Sequence, residues 1–348
     1  LDYALSYNNY FQKSAHMPTG AAYNFQTGSD LGRHYVAQNA NVSDNTTTSY
    51  KTQLNGRLNY DVKIGNYHDI NAMFVYSEEY WHTRSTNASR NDRLHPTITE
   101  LNGALTNVIS NSGSSSSEGL RSYIGRLNYV ALDRYLLEMN FRVDGSSKFS
   151  IGSQYGFFPS ASIGWIFTEE SFLQPYLSSW LSSGKIRTSY GSTGNNSGVG
   201  RFEQMETLTA MNYMADDVVK GFVNRKMVNK DLSWEVSKVF NLGFDLGFFN
   251  GQLNTEIDYY NRLTSGMNRP SEMSMLLTGA YTAPRRNIGE MRNRGLELNI
   301  TWRDRVGKVD YSVNVNGAYN RTTLEEWNEY LGRGWVFINM PYHFLYKH

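Results

Sequence analysis

The stretch KTQLNGRLNYDVKIGNYHDINAMFVYSEE, residues 51 to 79, alternates apolar and polar side chains almost without a break. Leu58, Tyr60, Val62 and Ile64 fall on one side of an extended chain; Arg57, Asn59, Asp61 and Lys63 fall on the other. After a turn at Gly65 and Asn66 the pattern resumes with His68, Ile70, Ala72, Phe74 and Tyr76. A period of two gives each strand one apolar and one polar face. A helix cannot present such a pattern on a single face, so the chain must build sheet, and something must cover its apolar side.

The same signature recurs. Tyr135, Leu137, Met139, Phe141 and Val143 alternate with Glu138, Asn140, Arg142 and Asp144. Phe240 to Phe248 alternate with Asn241, Gly243, Asp245 and Gly247, and Leu253, Thr255, Ile257 and Tyr259 oppose Asn254, Glu256, Asp258 and Tyr260. Leu296 to Trp302 and Tyr311 to Val315 repeat it. These strands run about 9 to 13 residues, longer than those of most globular sheets.

Connections alternate between short and long. Short ones fall at Gly65 and Asn66, Asp133 and Arg134, Asn250 and Gly251, and Val306 and Gly307. Asn-Gly suits a two-residue hairpin because both residues tolerate positive φ. Long polar connections are expected over 80–120, which includes NSGSSSSEG, over 194–232 and over 264–290. One segment departs from strand spacing. In TEESFLQPYLSSWLSSGK, Phe172, Leu173, Tyr176 and Trp180 recur at helical intervals after a Thr168 cap, predicting a short helix inserted over 169–181.

Composition narrows what covers the apolar faces. Among 348 residues, 19% are charged and 14% aromatic, with 25 Tyr. The net charge of +1 argues against a nucleic-acid partner. The absence of Cys excludes disulfides, thiolate metal sites and a cysteine nucleophile. No run of about 18 apolar residues is present, so no transmembrane helix is expected. Long amphipathic strands with short turns at one end and long connections at the other describe an all-β, transmembrane antiparallel β-barrel. A soluble β-sandwich or propeller is the rival, with the apolar faces packed on another sheet.

Residues 123–172, YIGRLNYVALDRYLLEMNFRVDGSSKFSIGSQYGFFPSASIGWIFTEESF, closely resemble the SusC/RagA-like TonB-dependent transporters of Bacteroidota outer membranes. The carrying elements are GRLNY, DRYLL, RVDGSSKF, FFPSASIGW and EESF. The resemblance continues through KIRTSYGSTGN, NKDLSWEVSKVFNLGFDLGFFNGQLNTEIDYYNRLTSGM and NIGEMRNRGLELNITW. It implies a full barrel of about 22 strands, of which about a dozen can be counted here. Residues 1–348 are then expected to be a partial barrel lacking the plug, the TonB-contacting segment and the C-terminal strands. Such a piece is expected not to close or refold by itself, because an open edge in hydrocarbon leaves backbone groups unpaired.

The resemblance implies import of oligosaccharide or oligopeptide nutrients in the outer membrane of a Gram-negative bacterium. Its implied partners are a SusD-like surface lipoprotein, TonB, outer-membrane lipid and the substrate; it also allows a dimer of SusC/SusD-like pairs. It implies no cofactor and no enzymatic activity. A passive porin or adhesin-type barrel is the alternative, and a barrel hydrolase a third. Against the hydrolase, the seven His are scattered and no metal or nucleophile–base spacing occurs. Paired carboxylates at Glu169 and Glu170, and at Asp216 and Asp217, read as loop or capping groups. Arg126, Arg142, Glu256, Asp258 and Arg303 on polar faces are candidates for substrate contact or for pairing across the wall. Asp144, with Gly145, Ser146 and Ser147, reads as a substrate contact or as a turn in which Gly supplies positive φ. In the long connections, Tyr80, Trp81, Tyr213 and Tyr281 suit stacking on sugars or packing on peptides and on the lipoprotein.

Overall fold

The computed structural model describes the chain except for residues 17–18, 25–28, 36–39, 94, 96, 106–108, 178, 215–217, 225, 272–282 and 328–348. Its strands are β1 (Asp2–His16), β2 (Thr19–Asn24), β3 (Ser29–Tyr35), β4 (Asn41–Ile64), β5 (His68–Asn91) and β6 (Ile109–Ala131). They continue with β7 (Tyr135–Ser146), β8 (Tyr155–Ile166), β9 (Leu181–Asn195), β10 (Leu208–Met214), β11 (Val218–Asn224) and β12 (Glu235–Phe248). The last are β13 (Leu253–Ser265), β14 (Asn268–Pro270), β15 (Arg285–Asn287), β16 (Glu290–Val306) and β17 (Val309–Glu326). Among the described residues, no helix is long and apolar enough to cross a membrane.

Eleven strands share one sheet in the order β1-β4-β5-β6-β7-β8-β9-β12-β13-β16-β17, while β2–β3, β10–β11 and β14–β15 are separate hairpins. The chain divides into two compact units. One holds Leu1, Asn55–Glu78 and everything from Leu120; the other holds Asp2–Leu54 and Glu79–Gly119.

In the first unit the register converts alternation into two continuous faces. Tyr129, Leu137, Ile163, Thr188, Leu242, Tyr259, Leu296 and Tyr319 stand side by side across eight strands. One residue along, Asn128, Glu138, Ser162, Ser189, Asn241, Tyr260, Gly295 and Asn320 form the matching row on the opposite face. Ile163, Leu296 and Tyr319 are 57%, 50% and 69% exposed, so the chain does not cover its own apolar face there. An apolar surface this extensive requires an apolar surrounding.

Short turns line one end of this sheet and bond to one another. Leu132 donates to Tyr67 O at 2.8 Å, Ile166 to Arg134 O at 2.9 Å, and Arg303 to Gln252 O at 2.7 Å. Asn250 has φ 56°, which an Asn-Gly turn accommodates. At the opposite end, Phe149, Phe158, Val199, Leu232 and Trp234 form a buried cluster. Trp234 lies 5.2 Å from the Phe149 ring and 5.5 Å from the Phe158 ring, and donates through Nε1 to Gln154 O at 2.9 Å. Its members come from the DGSSKF and FFPSAS segments, from Val199 in GNNSGVG and from the LSWEV segment, which lie between residues 144 and 236 of the sequence.

Three expectations need correction. The connection expected over 80–120 is mostly strand, because β5 continues to Asn91 and β6 begins at Ile109. Polar side chains occupy both faces of these extensions, so no hydrophobic alternation marks them. The helix expected over 169–181 is a single turn, Gln174–Leu177. Thr168 Oγ1 accepts from Gly184 N at 3.0 Å instead of capping it, and Leu181 already begins β9. Finally, Asp144 and Gly145 lie within β7, and Gly145 is not a positive-φ turn residue. It is small because the ring of Tyr155, its cross-strand partner, lies over it.

Candidate functional site

The polar face of the first unit carries most of the candidate charges. Its best-connected group is Arg187 on β9, which the sequence reading did not single out. Arg187 Nε donates to Asp245 Oδ1 at 3.0 Å and Oδ2 at 3.2 Å, and Nη2 donates to Asp258 Oδ2 at 2.6 Å. Arg187 pairs with Gly243, which in turn pairs with Asp258, so the guanidinium crosses β12 to reach a carboxylate two strands away. A Cβ on Gly243 would lie 2.6 Å from both Arg187 Cζ and Asp258 Oδ1. The missing side chain is what lets the pair form. No one-dimensional spacing signals a contact of this kind.

All but one of the other charged candidates are also engaged within the wall. Arg126 Nη2 lies 3.1 Å from Glu138 Oε2, and Glu138 accepts from Asn140 at 2.7 Å. Arg142 Nε donates to Asp144 Oδ2 at 2.5 Å, and its Nη2 reaches Ser122 Oγ at 3.5 Å. Asp144 is buried, and its Oδ1 has no hydrogen-bond partner among the described residues. Glu256 accepts from Asn299 at 3.3 Å. Arg303 is exposed near the short-turn end of β16. Thus Arg142 and Asp144 are brought together and Asp258 is joined to Arg187, whereas Arg126 and Glu256 find separate partners. Between these pairs the face carries hydroxyl and amide groups such as Asn128, Ser162, Ser189, Asn241 and Asn320.

The aromatic candidates are scattered. In the second unit, Tyr80 and Trp81 are on β5, not in a loop, and adjacent strand residues point to opposite faces. Tyr80 and His82 meet Tyr50, with ring centroids 6.0 and 5.1 Å from it. Trp81 takes Lys51 Nζ over its ring at 4.9 Å, and that ammonium also pairs with Glu79 at 2.9 Å. Tyr80 and Trp81 therefore cannot grip one ligand together. Tyr213 is on β10 and donates to Phe222 O at 3.3 Å. Tyr281, Asp216 and Asp217 lie outside the described residues.

Glu170 works at the short-turn rim. Its buried carboxylate accepts from the Tyr135 hydroxyl and from Trp165 Nε1 at 3.2 Å, and pairs with Arg134 Nη1 at 3.1 Å. The Tyr135 and Trp165 hydrogen bonds, helped by the Arg134 charge, hold its pKa below the usual carboxylate range. Among the described residues, no group of three or more His, Asp or Glu is placed to hold a metal ion.

Residues 1–341 match the family described as TonB dependent receptor-like, beta-barrel. TonB-dependent receptor P3 of Formosa agariphila is 28% identical over 320 residues, covering 90% of this chain and 31% of that protein. TonB-dependent receptor SusC of Bacteroides thetaiotaomicron is 34% identical over 211 residues, covering 59% of this chain and 21% of that protein. The chain thus spans less than a third of the length of these relatives. Its fold is similar to a structure of the RagAB peptide importer in the "closed-closed" state, with a TM-score of 0.79 at 22% identity, covering 95% of this chain and 35% of that one. The two-faced antiparallel sheet is accordingly a partial barrel, and the chain belongs to the TonB-dependent receptor-like β-barrel family, a family of receptors and not of enzymes.

Proposed function

We propose that the intact protein is a TonB-dependent importer of oligosaccharides or oligopeptides in the outer membrane of a Gram-negative bacterium. Residues 1–348 supply part of its barrel wall. The observation that carries this reading is the contrast between the faces. One is apolar and uncovered, as lipid requires; the other is polar, with Arg187, Asp245 and Asp258, and Arg126 and Glu138, paired among themselves. A surface rich in amide and hydroxyl groups, with its central charges paired, suits neutral, hydrogen-bonding polymers such as glycans and peptide backbones. One protein of similar fold is named the RagAB peptide importer, which supports the peptide part of that class.

In this reading the short turns at Asn66, Arg134, Asn250 and Gly307 face the periplasm and the longer connections face outward. The partners are TonB and a SusD-like surface lipoprotein seated over the β10–β11 hairpin and its neighbours, with the pair able to dimerise. Arg126, Arg142, Asp144, Glu256 and Asp258 serve the wall first, and the exposed Arg126, Arg142 and Glu256 are better placed to meet a substrate than the buried Asp144. Tyr80 and Trp81 each offer a separate contact. Uptake of glycan or peptide polymers by cells with and without TonB tests the reading. Import should be lost without TonB, and the lipoprotein should copurify with the intact protein. Replacing residues 206–226 with a short turn should release the lipoprotein and leave the barrel inserted. Uptake unchanged without TonB would favour a passive porin, and a lipoprotein still bound to the shortened barrel would remove the lid from this account.

A further inference from the structure

Arginine interrupts the apolar face of β16 and β17. On β16 that face runs Trp302, Ile300, Leu298 and Leu296 and then turns to Arg294 and Arg292; on β17 it runs Val313, Val315 and Tyr319 and then turns to Arg321. Arg294 and Arg321 are direct cross-strand partners. Like charges directly opposite one another on a sheet destabilise it. Neither is relieved by a neighbour. Glu325, on the same face, is taken by Arg292 at 3.3 Å, and Arg292 also donates to Asn261 at 3.3 Å. Arg294 and Arg321 are exposed and have no hydrogen-bond or ion-pair partner among the described residues. They flank a recess of about 480 Å³ whose lining includes Tyr259, Leu296, Tyr319 and Glu325.

The change from apolar to basic residues lies at the end of the sheet away from the short turns at 249–252 and 307–308. Given the outer-membrane orientation proposed above, on which this inference rests, that is the level of the external headgroups. Two guanidiniums held side by side there need a compact dianion. A phosphate monoester accepts bidentate hydrogen bonds from both, and a neutral headgroup cannot. Below the arginines, Leu296, Leu298 and Tyr259 offer a surface for acyl chains.

We propose that Arg294 and Arg321 form a binding site for the phosphorylated headgroup of a lipid in the external leaflet, seated in the recess between β13, β16 and β17. The test uses the intact protein in neutral detergent, titrated with diphosphoryl lipid A, with its dephosphorylated form, and with inorganic phosphate, and read by native mass spectrometry. The phosphorylated lipid should bind at least about tenfold more tightly than the dephosphorylated one, and R294Q/R321Q should lose that preference. In lipid-free detergent the double variant should resist heat at least as well as the wild type, because an opposed pair of like charges has gone. R294K/R321K, which keeps the charge without the planar fork, should bind with intermediate affinity and serves if the glutamine variant does not insert. Equal affinity for both lipids, a preference that survives R294Q/R321Q, or competition by inorganic phosphate at the lipid's own concentration would each overturn the site. TonB-dependent uptake by the wild type is followed in parallel. Failed uptake refutes the functional reading, whereas undiminished lipid preference in the variant refutes only the headgroup site.

Discussion

Replacing Gly243 by alanine tests how the polar face holds its charges. The added Cβ would stand 2.6 Å from Arg187 Cζ and from Asp258 Oδ1, both at the ends of flexible side chains. The backbone need not move; the two side chains swing apart, and the 2.6 Å Arg187–Asp258 bond is lost. A hydrogen bond between charged groups contributes about 1.5–3 kcal/mol, and Arg187 is partly exposed, so the lower end applies. Alanine recovers about 0.5–1 kcal/mol of chain entropy relative to glycine. The expected net loss is therefore roughly 0.5–1 kcal/mol. Gly317 is the control, because a Cβ there meets nothing within 4 Å, and G317A should stabilise by about 0.5–1 kcal/mol. The assay is urea-dependent refolding of the intact protein into liposomes. The decisive comparison is a double-mutant cycle. With Asp258 already replaced by alanine, G243A should destabilise less, because the Arg187–Asp258 bond it breaks is already gone and only the Arg187–Asp245 contact is left to disturb. Equal effects of G243A and G317A, or simple additivity of G243A with D258A, would refute the reasoning.

Arg introduced at Leu242 or Leu298 should weaken insertion by about 2–4 kcal/mol if the site lies near midplane, while Arg at Asn241 should be far milder; liposome refolding measures both. Glu170 should give the short-turn rim a pH dependence. Because its folded-state pKa is lowered, its contribution is fully present above the usual carboxylate pKa of about 4.3 and fades as pH falls through the lower folded value. Heat-modifiable gel migration should show that acid-side loss in the wild type and a flatter profile in E170Q.

Period-two alternation was legible because lipid and lumen impose different solvents on alternate residues. The sequence alone therefore located the strands that cross the apolar band, from Tyr135–Val143 through Tyr311–Val315, and the short turns between them. It also separated the polar faces that carry Arg126, Glu256 and Asp258. Where a strand leaves the apolar surround, both faces meet water and the pattern stops while the hydrogen-bonded ladder continues. That is why the strand residues of 80–91 and 109–120 read as loop, and why Tyr80 and Trp81 looked like neighbours on a flexible surface. Only the register decided the rest. It laid Arg187 across Gly243 onto Asp258, put Arg294 opposite Arg321, and accompanied the gathering of Phe149, Phe158 and Trp234 into one buried cluster. Each of these depends on residues one or more strands apart, and alternation within a strand carries no information about what stands beside it.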